Sequence, residues 1–550
     1  MQESQTMPGK KPKLLIAAAI VVAAGSAAVY FYFKGLAQKV SNPLESAKVV
    51  PDKAMMAAFI SPNPQALSQL QQFGTPGAQK LFGQGLKAFQ EQSLAGTEID
   101  YDKDLKPWLG GVMVALLPPD TEAKSEPPKL LLVVSVKDKI SAWNFANRLK
   151  SQPGAKTQES EYKGVKISEI AEPSGKGYSV ALLDDQLVIA PFRKPVELAI
   201  DTFKGQPSLA TQQTTSKFFS ESAGVENPIA TIFIADYQAT MEQLKANLPP
   251  DMKLPSTVMQ QFKQVKSLVA GIGADSAGLR VKTIAQLDPK LAGKNPQAAS
   301  KLLPRFPGET IALVGGKGLD QIWLQAKAEA KDSLEINSSI QQVRESFKRL
   351  DLDADRDVFD WMNGEFAIGA IASNEGILSQ FGMGATMIFE TSDRPAAETM
   401  LKKLDAIAKS NPTVSIAPRQ VQGKEVVEWT IPQQGTLFGH GWLNQNTVFV
   451  AFGGPLVDAI ATAPPQPLSS SPSFGAIATS VSPGDRGYFY LDMDKTMSWA
   501  NQYLLKAAPT LVSPPTAEVL NSIRGISVAT TSPEPSIAQL EMLFSFKSNL

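Results

Sequence analysis

The stretch LKPWLGGVMVAL at residues 105–116 returns as VFDWMNGEFAIG at residues 358–369. Trp108 falls on Trp361 and Gly111 on Gly364, and upstream Asp100, Asp102 and Asp104 fall on Asp353, Asp355 and Asp357. Both tryptophans are offset by 253 residues, and so are Pro51 and Pro304, which precede the apolar runs MMAAFI and TIALVG. Further on, LLDDQLVIAPFRKPVELAI (182–200) returns as WLNQNTVFVAFGGPLVDAI (442–460), and IFIADYQATMEQL (232–244) as YFYLDMDKTMSWA (488–500). Ordered matches at nearly constant spacing mark an internal repeat. The expected plan is a first repeat over 49–290, a linker at 291–301 and a second repeat over 302–547. The joint sequence DPKLAGKNPQAASKLLP carries the Pro, Lys and Ala of an exposed connection.

Within one repeat the elements alternate without a strict βαβα rhythm. Ala54–Ile60 reads as a short strand, Pro64 opens a helix, and a second helix is expected near Ala78–Gln90. Gly111–Leu117 and Leu130–Val136 read as neighbouring strands, followed by a helix over Ile140–Lys150 with Trp143, Ala146 and Leu149 at intervals of three. Val165–Ile170, Tyr178–Leu183 and Gln186–Ala190 form a meander with Asp184 and Asp185 in a tight turn. A helix over Pro195–Phe203, a strand over Ile229–Ile234, a helix from Asp236 and paired strands near 268–274 and 278–287 complete the repeat. Hairpins mixed with single helices predict an α+β fold of two tandem homologous halves, with mainly antiparallel sheets packed against helices.

Composition limits the function classes. Lys plus Arg and Asp plus Glu are 53 each, which gives no electrostatic reason to expect nucleic acid. The absence of cysteine excludes disulfides, thiolate nucleophiles and thiolate metal sites, and the single histidine, His440, excludes a multi-histidine metal centre within one chain.

The N-terminal residues 1–13 form a short tail, after which Leu14–Phe33 runs for 20 residues without a charge. As a helix this segment matches a bilayer core of about 30 Å, with Tyr30, Phe31, Tyr32 and Phe33 as an aromatic belt ahead of Lys34. It is read as a transmembrane signal-anchor, followed by a linker over 34–48, with the bulk of the chain exported. The rival reading is a cleaved signal peptide, with Lys10, Lys11 and Lys13 as its basic region and Ser26-Ala27-Ala28 at the cleavage site.

Chemistry-bearing motifs are sparse. The alternating aspartates suggest a cation, yet Leu105 and Val358 stand where a calcium loop needs glycine, and Gly111 and Gly364 where it needs a bidentate glutamate. A structural joint explains the echo better: Asp104 and Asp357 capping a turn, Trp108 and Trp361 buried beneath the next strand, and glycine admitting the chain into it. Ser160 and Lys163 match S-x-x-K beside a predicted hairpin, and Gly315-Gly316-Lys317-Gly318 lacks the residues of a phosphate loop and reads as a turn. His440, between two glycines, reads as a surface or hairpin histidine; Glu159 with Glu161 and Asp184 with Asp185 read as solvated pairs, and Phe218, Phe219 and Trp323 as core.

The apolar N-terminal segment, Pro51 before AMMAAFI, the stretch from Asp104 to Trp108-Leu109-Gly110 and its echo at Trp361 resemble a largely cyanobacterial family known only as domain of unknown function 3352. Asn363 departs from the pattern, replacing the first glycine in the second copy. The resemblance implies a membrane-anchored or exported protein, in a periplasm or thylakoid lumen, and brings no catalytic residues. The leading expectation is a non-enzymatic, membrane-anchored scaffold or assembly factor with a protein partner and no cofactor. The alternatives are a carrier of an apolar ligand, lipid or pigment, between the halves, and a hydrolase using Ser160 with Lys163, or His440.

Overall fold

The computed structural model describes residues 43–548 except 62, 81–83, 85–100, 106, 120–128, 151–155, 172–176, 212–223, 248–264, 289–300, 332, 479–485, 507 and 509–510. The expected anchor at Leu14–Phe33, Asp100, Phe218, Phe219 and most of the helix expected near Ala78–Gln90 lie outside these residues. Among the described residues no helix is long and apolar enough to cross a membrane. The chain divides into two compact units, one within Met1–Gln71, Gln79–Pro249 and Ser267–Asp275, the other within Gln72–Ala78, Pro250–Lys266 and Ser276–Leu550.

The first unit is built on β1 (Met56–Ile60), β2 (Leu109–Leu117), β3 (Lys129–Val136), β4 (Lys156–Tyr162), β5 (Val165–Ala171), β6 (Gly177–Leu183), β7 (Gln186–Ala190), β8 (Pro228–Ile234) and β9 (Val265–Ala274). Every pairing is antiparallel, in the order β9-β8-β1-β2-β3-β7-β6-β5-β4. Register places Phe59, Met113, Val133 and Val188 side by side across four strands, and all four are buried in one core. Helix Arg193–Phe203 covers that face with Val196, Ala199 and Ile200. On the opposite face Val112, Leu132 and Val134 pack with Trp108, Ala142 and Phe145. With both faces covered, the central strands LGGVMVALL and KLLLVVSV carry almost no polar alternation.

The second unit contains β10 (Gly278–Leu287), β11 (Thr310–Lys317), β12 (Glu365–Ala372), β13 (Met383–Glu390), β14 (Ser415–Val421), β15 (Lys424–Ile431), β16 (Gly435–Trp442), β17 (Thr447–Phe452), β18 (Gly487–Asp492), β19 (Ile523–Glu534) and β20 (Ile537–Phe546). Its antiparallel order is β10-β20-β19-β18-β11-β12-β13-β17-β16-β15-β14. From β19 to β14 this repeats the strand order of the first unit. The coarse expectation of α+β architecture with antiparallel sheets is therefore met. Helix Gly454–Thr462 seals one face through Leu456, Val457, Ile460 and Ala461. Helix Arg394–Lys409 seals the other through Ala397, Met400 and Leu401.

Parts of the expected first repeat belong to the second unit. Strand β10 pairs with β20 from Gly278↔Ser545 to Gln286↔Ile537. In residues 72–78, Phe73 stacks on Phe546 with ring centroids 5.8 Å apart, the Gly74 N–H donates to the Lys547 carbonyl at 2.8 Å, and Thr75 Oγ1 donates to Glu518 Oε2 at 2.9 Å.

Helix Lys139–Lys150 forms where it is expected. Its Ala142 and Phe145 pack on the core, whereas Trp143 and Ala146, from the row at intervals of three, are exposed. At 3.6 residues per turn a strict period of three drifts off any one face.

Across the β10–β20 pair, Arg280 and Glu541 form a nearly buried ion pair, with Lys282 Nζ a further 3.8 Å from the same carboxylate oxygen. Arg280→Met leaves Glu541 with that distant cation alone. It is expected to lower the stability of the second unit by about 2 kcal/mol, the scale of a lost charge-assisted hydrogen bond, read as a lower urea midpoint with an unchanged slope.

Candidate functional site

The two echoing stretches are built alike. Tyr101–Leu105 and Ala354–Phe359 each form a single wide, π-type turn. In the first, Trp108 Nε1 donates to the Asp104 carbonyl at 2.6 Å, and in the second Trp361 Nε1 donates to the Asp357 carbonyl at 3.1 Å. Both indoles are buried. Each aspartate carboxylate is held by a cation from the helix that follows: Arg148 Nη2 lies 2.5 Å from Asp104 Oδ1, and Lys403 Nζ lies 2.8 Å from Asp357 Oδ2.

The caps differ in detail from the expected ones. Asp353 is the N-cap of the second turn, its Oδ1 accepting the N–H groups of Asp355 and Arg356 at 2.9 and 3.0 Å. Asp357 reaches back, accepting the Asp353 N–H at 2.9 Å, a reciprocal arrangement like a capping box. Gly364 is required by proximity: a Cβ there would collide with the Glu390 carbonyl, to which the Gly364 N–H donates at 3.1 Å.

The second aspartate set is fully engaged. Asp355 accepts from Trp323 Nε1 at 2.8 Å, Lys327 Nζ at 2.6 Å and Arg344 Nε at 2.9 Å. Burial would raise the carboxyls of Asp355 and Asp357, but these bonds, with Lys403 and Arg356 on Asp357, outweigh it and hold both below the ordinary carboxylate range. Cations already occupy the sites a metal would take. Among the described residues no group of three or more His, Asp or Glu side chains is placed to hold a metal ion.

The remaining sequence motifs are dispersed. Ser160 lies on β4 and accepts from Arg193 Nη1 at 2.6 Å. Lys163 sits with Gly164 in the β4–β5 turn, both at positive φ, and its ammonium pairs with Asp201 Oδ1 at 2.6 Å. The two side chains therefore have separate partners. Gly315–Lys317 is the end of strand β11, not a turn, and Gly318 at φ 71° starts helix Leu319–Glu329. The Gly318 and Asp320 N–H groups donate to the carbonyls of Gly364 and Met362, so this helix start is already satisfied. Glu159 pairs with Lys166, Asp184 turns the β6–β7 hairpin at φ 58°, and Trp323 is core, its ring 4.3 Å from that of Phe359.

His440 lies on β16 but is buried, not at the surface. Its Nε2 is 3.0 Å from Asp405 Oδ1, which also accepts Trp429 Nε1 at 2.7 Å. Asp405 comes from helix Arg394–Lys409, so the cluster ties that helix to the β15–β16 hairpin. Burial acts to raise the Asp405 carboxyl, and the His440 and Trp429 bonds prevail and lower it. This orients an imidazole, as the His–Asp part of a catalytic triad does, but among the described residues no hydroxyl nucleophile joins the His440–Asp405 pair.

Sequence reasoning passed over Glu365. It opens β12 and is only 2% exposed, and its Oε1 accepts the Leu302 N–H at 3.2 Å. Burial, aided by the nearby Glu390 charge, raises its carboxyl to about 7 in spite of backbone bonds from Leu302 and Lys301. Tyr488, whose hydroxyl is buried without a hydrogen-bond partner, is pushed upward by burial and by the Glu365 charge.

Native Glu365 holds its proton from pH 4.5, the ordinary glutamate value, up to about 7. The folded state binds more protons than the unfolded one in this window, so stability falls as pH rises through it, by roughly 3 kcal/mol at most. Glu365→Gln is expected to flatten urea-unfolding stability between those pH values and to exceed the parent above pH 7. Lys403→Met, which leaves the mostly covered Asp357 carboxylate with Arg356, is expected to cost about 2 kcal/mol in the same assay.

A family model described as "Protein of unknown function (DUF3352)" matches residues 14–546. No curated protein matches. Among solved structures, crystal form IV of TP0453 aligns at a TM-score of 0.26 and 12% identity, covering 45% of this chain and 81% of that one. Crystal form III aligns at 0.25 and 14%, covering 44% and 79%.

Proposed function

We propose, from the premise that this chain belongs to the DUF3352 family of unknown function, that it is a single-pass membrane-anchored, exported protein that works by binding another protein as a scaffold or assembly factor. The observation that carries the binding role is a helical hairpin in the second unit, Leu319–Glu329 and Leu334–Lys348. It buries Trp323 and Ile340 inward and holds large apolar side chains in water: Leu334 is 89% exposed and Ile322 and Leu324 are each 50% exposed. Side chains of this kind are the anchors that fill a partner's pockets. The uncharged run Leu14–Phe33 supports the anchor, and the even charge balance favours a protein over a nucleic acid. A binding role without catalysis is supported by the engagement of Ser160, Lys163 and His440 in structural bonds.

Cross-linking in intact membranes, followed by mass spectrometry of what a C-terminally tagged chain captures, tests this reading. The expected result is repeated capture of one membrane complex, reduced at least tenfold in an Ile322→Asp, Leu334→Asp variant, since an anchor residue is worth about 2 kcal/mol or more. A chain that cross-links to nothing overturns it.

A further inference from the structure

Helices Lys139–Lys150 and Arg394–Lys409 are counterparts: Asp138 and Asp393 cap them by accepting the Ile140 and Ala396 N–H groups, and Arg148 and Lys403 hold the joint carboxylates. Both pairs are offset by 255 residues, which sets Trp143 against Glu398 and Ile140 against Pro395. In the second unit Glu398 accepts Arg394 Nε at 2.7 Å, an ordinary solvated pair. In the first, the same turn presents Ile140, 74% exposed, and Trp143, 66% exposed. Exposed Lys139 lies in the first turn of this helix, exposed Lys137 just ahead of it after β3, and exposed Lys103 on the turn Tyr101–Leu105, whose Asp104 is held by Arg148 of the same helix.

We propose that this helix start is a membrane-contact surface, with Ile140 and Trp143 entering the interface of an anionic lipid bilayer and the lysines meeting its headgroups. The proposal rests on the anchor reading above. Residues 34–42 alone separate the uncharged run from Pro43, the first described residue, and even fully extended they reach roughly 30 Å. The first unit thus stays within about its own diameter of a bilayer. An indole beside an aliphatic side chain and a basic rim is the chemistry of interfacial insertion, and lysines near an anionic leaflet are drawn to it. A protein partner would not require the lysines, whereas anionic headgroups do.

The chain has no cysteine, so Asn144→Cys, at an exposed position on the same helix, gives one site for an environment-sensitive nitrobenzoxadiazole label. The full chain is reconstituted into phosphatidylcholine vesicles with and without phosphatidylglycerol and floated on a density gradient. The expected result is a blue-shifted label, quenched by nitroxide lipids in the anionic vesicles, with most of the quenching lost in an Ile140→Ser, Trp143→Ser background and in high salt. A chain that floats while its label stays water-like overturns the contact surface and leaves the anchor standing. A chain that does not float overturns both. A blue shift in detergent without lipid that grows with protein concentration assigns the face to a second copy and overturns the proposal.

Discussion

A buried carboxylate has to meet a cation, and in each unit that requirement binds three elements into one joint. Asp104 and Asp357 sit almost out of water, so Arg148 and Lys403 must come to them. Because the cation comes from the helix, the helix is drawn onto the sheet face. Because the same aspartate's carbonyl accepts the indole N–H, the tryptophan is fixed beneath that helix. The rings of Trp108 and Phe145, 5.5 Å apart, and of Trp361 and Phe389, 5.6 Å apart, then carry the joint into the core. Breaking the ion pair would loosen helix, turn and strand together.

The same logic accounts for the aspartates that look like a metal site. Alternate carboxylates along a chain suggest a hard cation only while their surroundings are unknown. Once Lys327, Arg344 and the Trp323 indole are placed around Asp355, its charge is balanced and its oxygens are occupied. Electrostatic demand in this fold is met by side chains. Among the described residues Glu365 departs from this, since backbone N–H groups compensate it only in part and its proton stays on to nearly neutral pH.

Much of the sheet was legible because double burial leaves a plain mark, as in the unbroken apolar runs of β2 and β3. The β6–β7 turn was legible too, Asp184 being a residue type that tolerates left-handed backbone, whereas Gly315–Lys317, which reads as a turn, ends β11. The site was less so. His440 between glycines gives no sign of burial, since its partner Asp405 stands on another element 35 residues away. Glu365 resembles any polar residue opening a strand, and its isolation depends on Leu302 and Tyr488, which are distant in sequence. The exposure of Trp143 was not legible, because which flank of its helix is buried depends on where Arg148 is pulled.

Strand β10 has a consequence for how the gene product can be divided. It is encoded ahead of the joint sequence yet completes a sheet whose other strands follow that joint. Cutting the chain between the repeats would give a C-terminal fragment whose β20 edge, from Ile537 to Phe546, lies unpaired, a row of open backbone groups inviting fibrous association. On the ribosome the strand emerges well before its partner β20 and stays unpaired until that strand has been made. The second unit is thus completed by a strand from the first repeat, and the sequence repeats are not the separable parts of the fold.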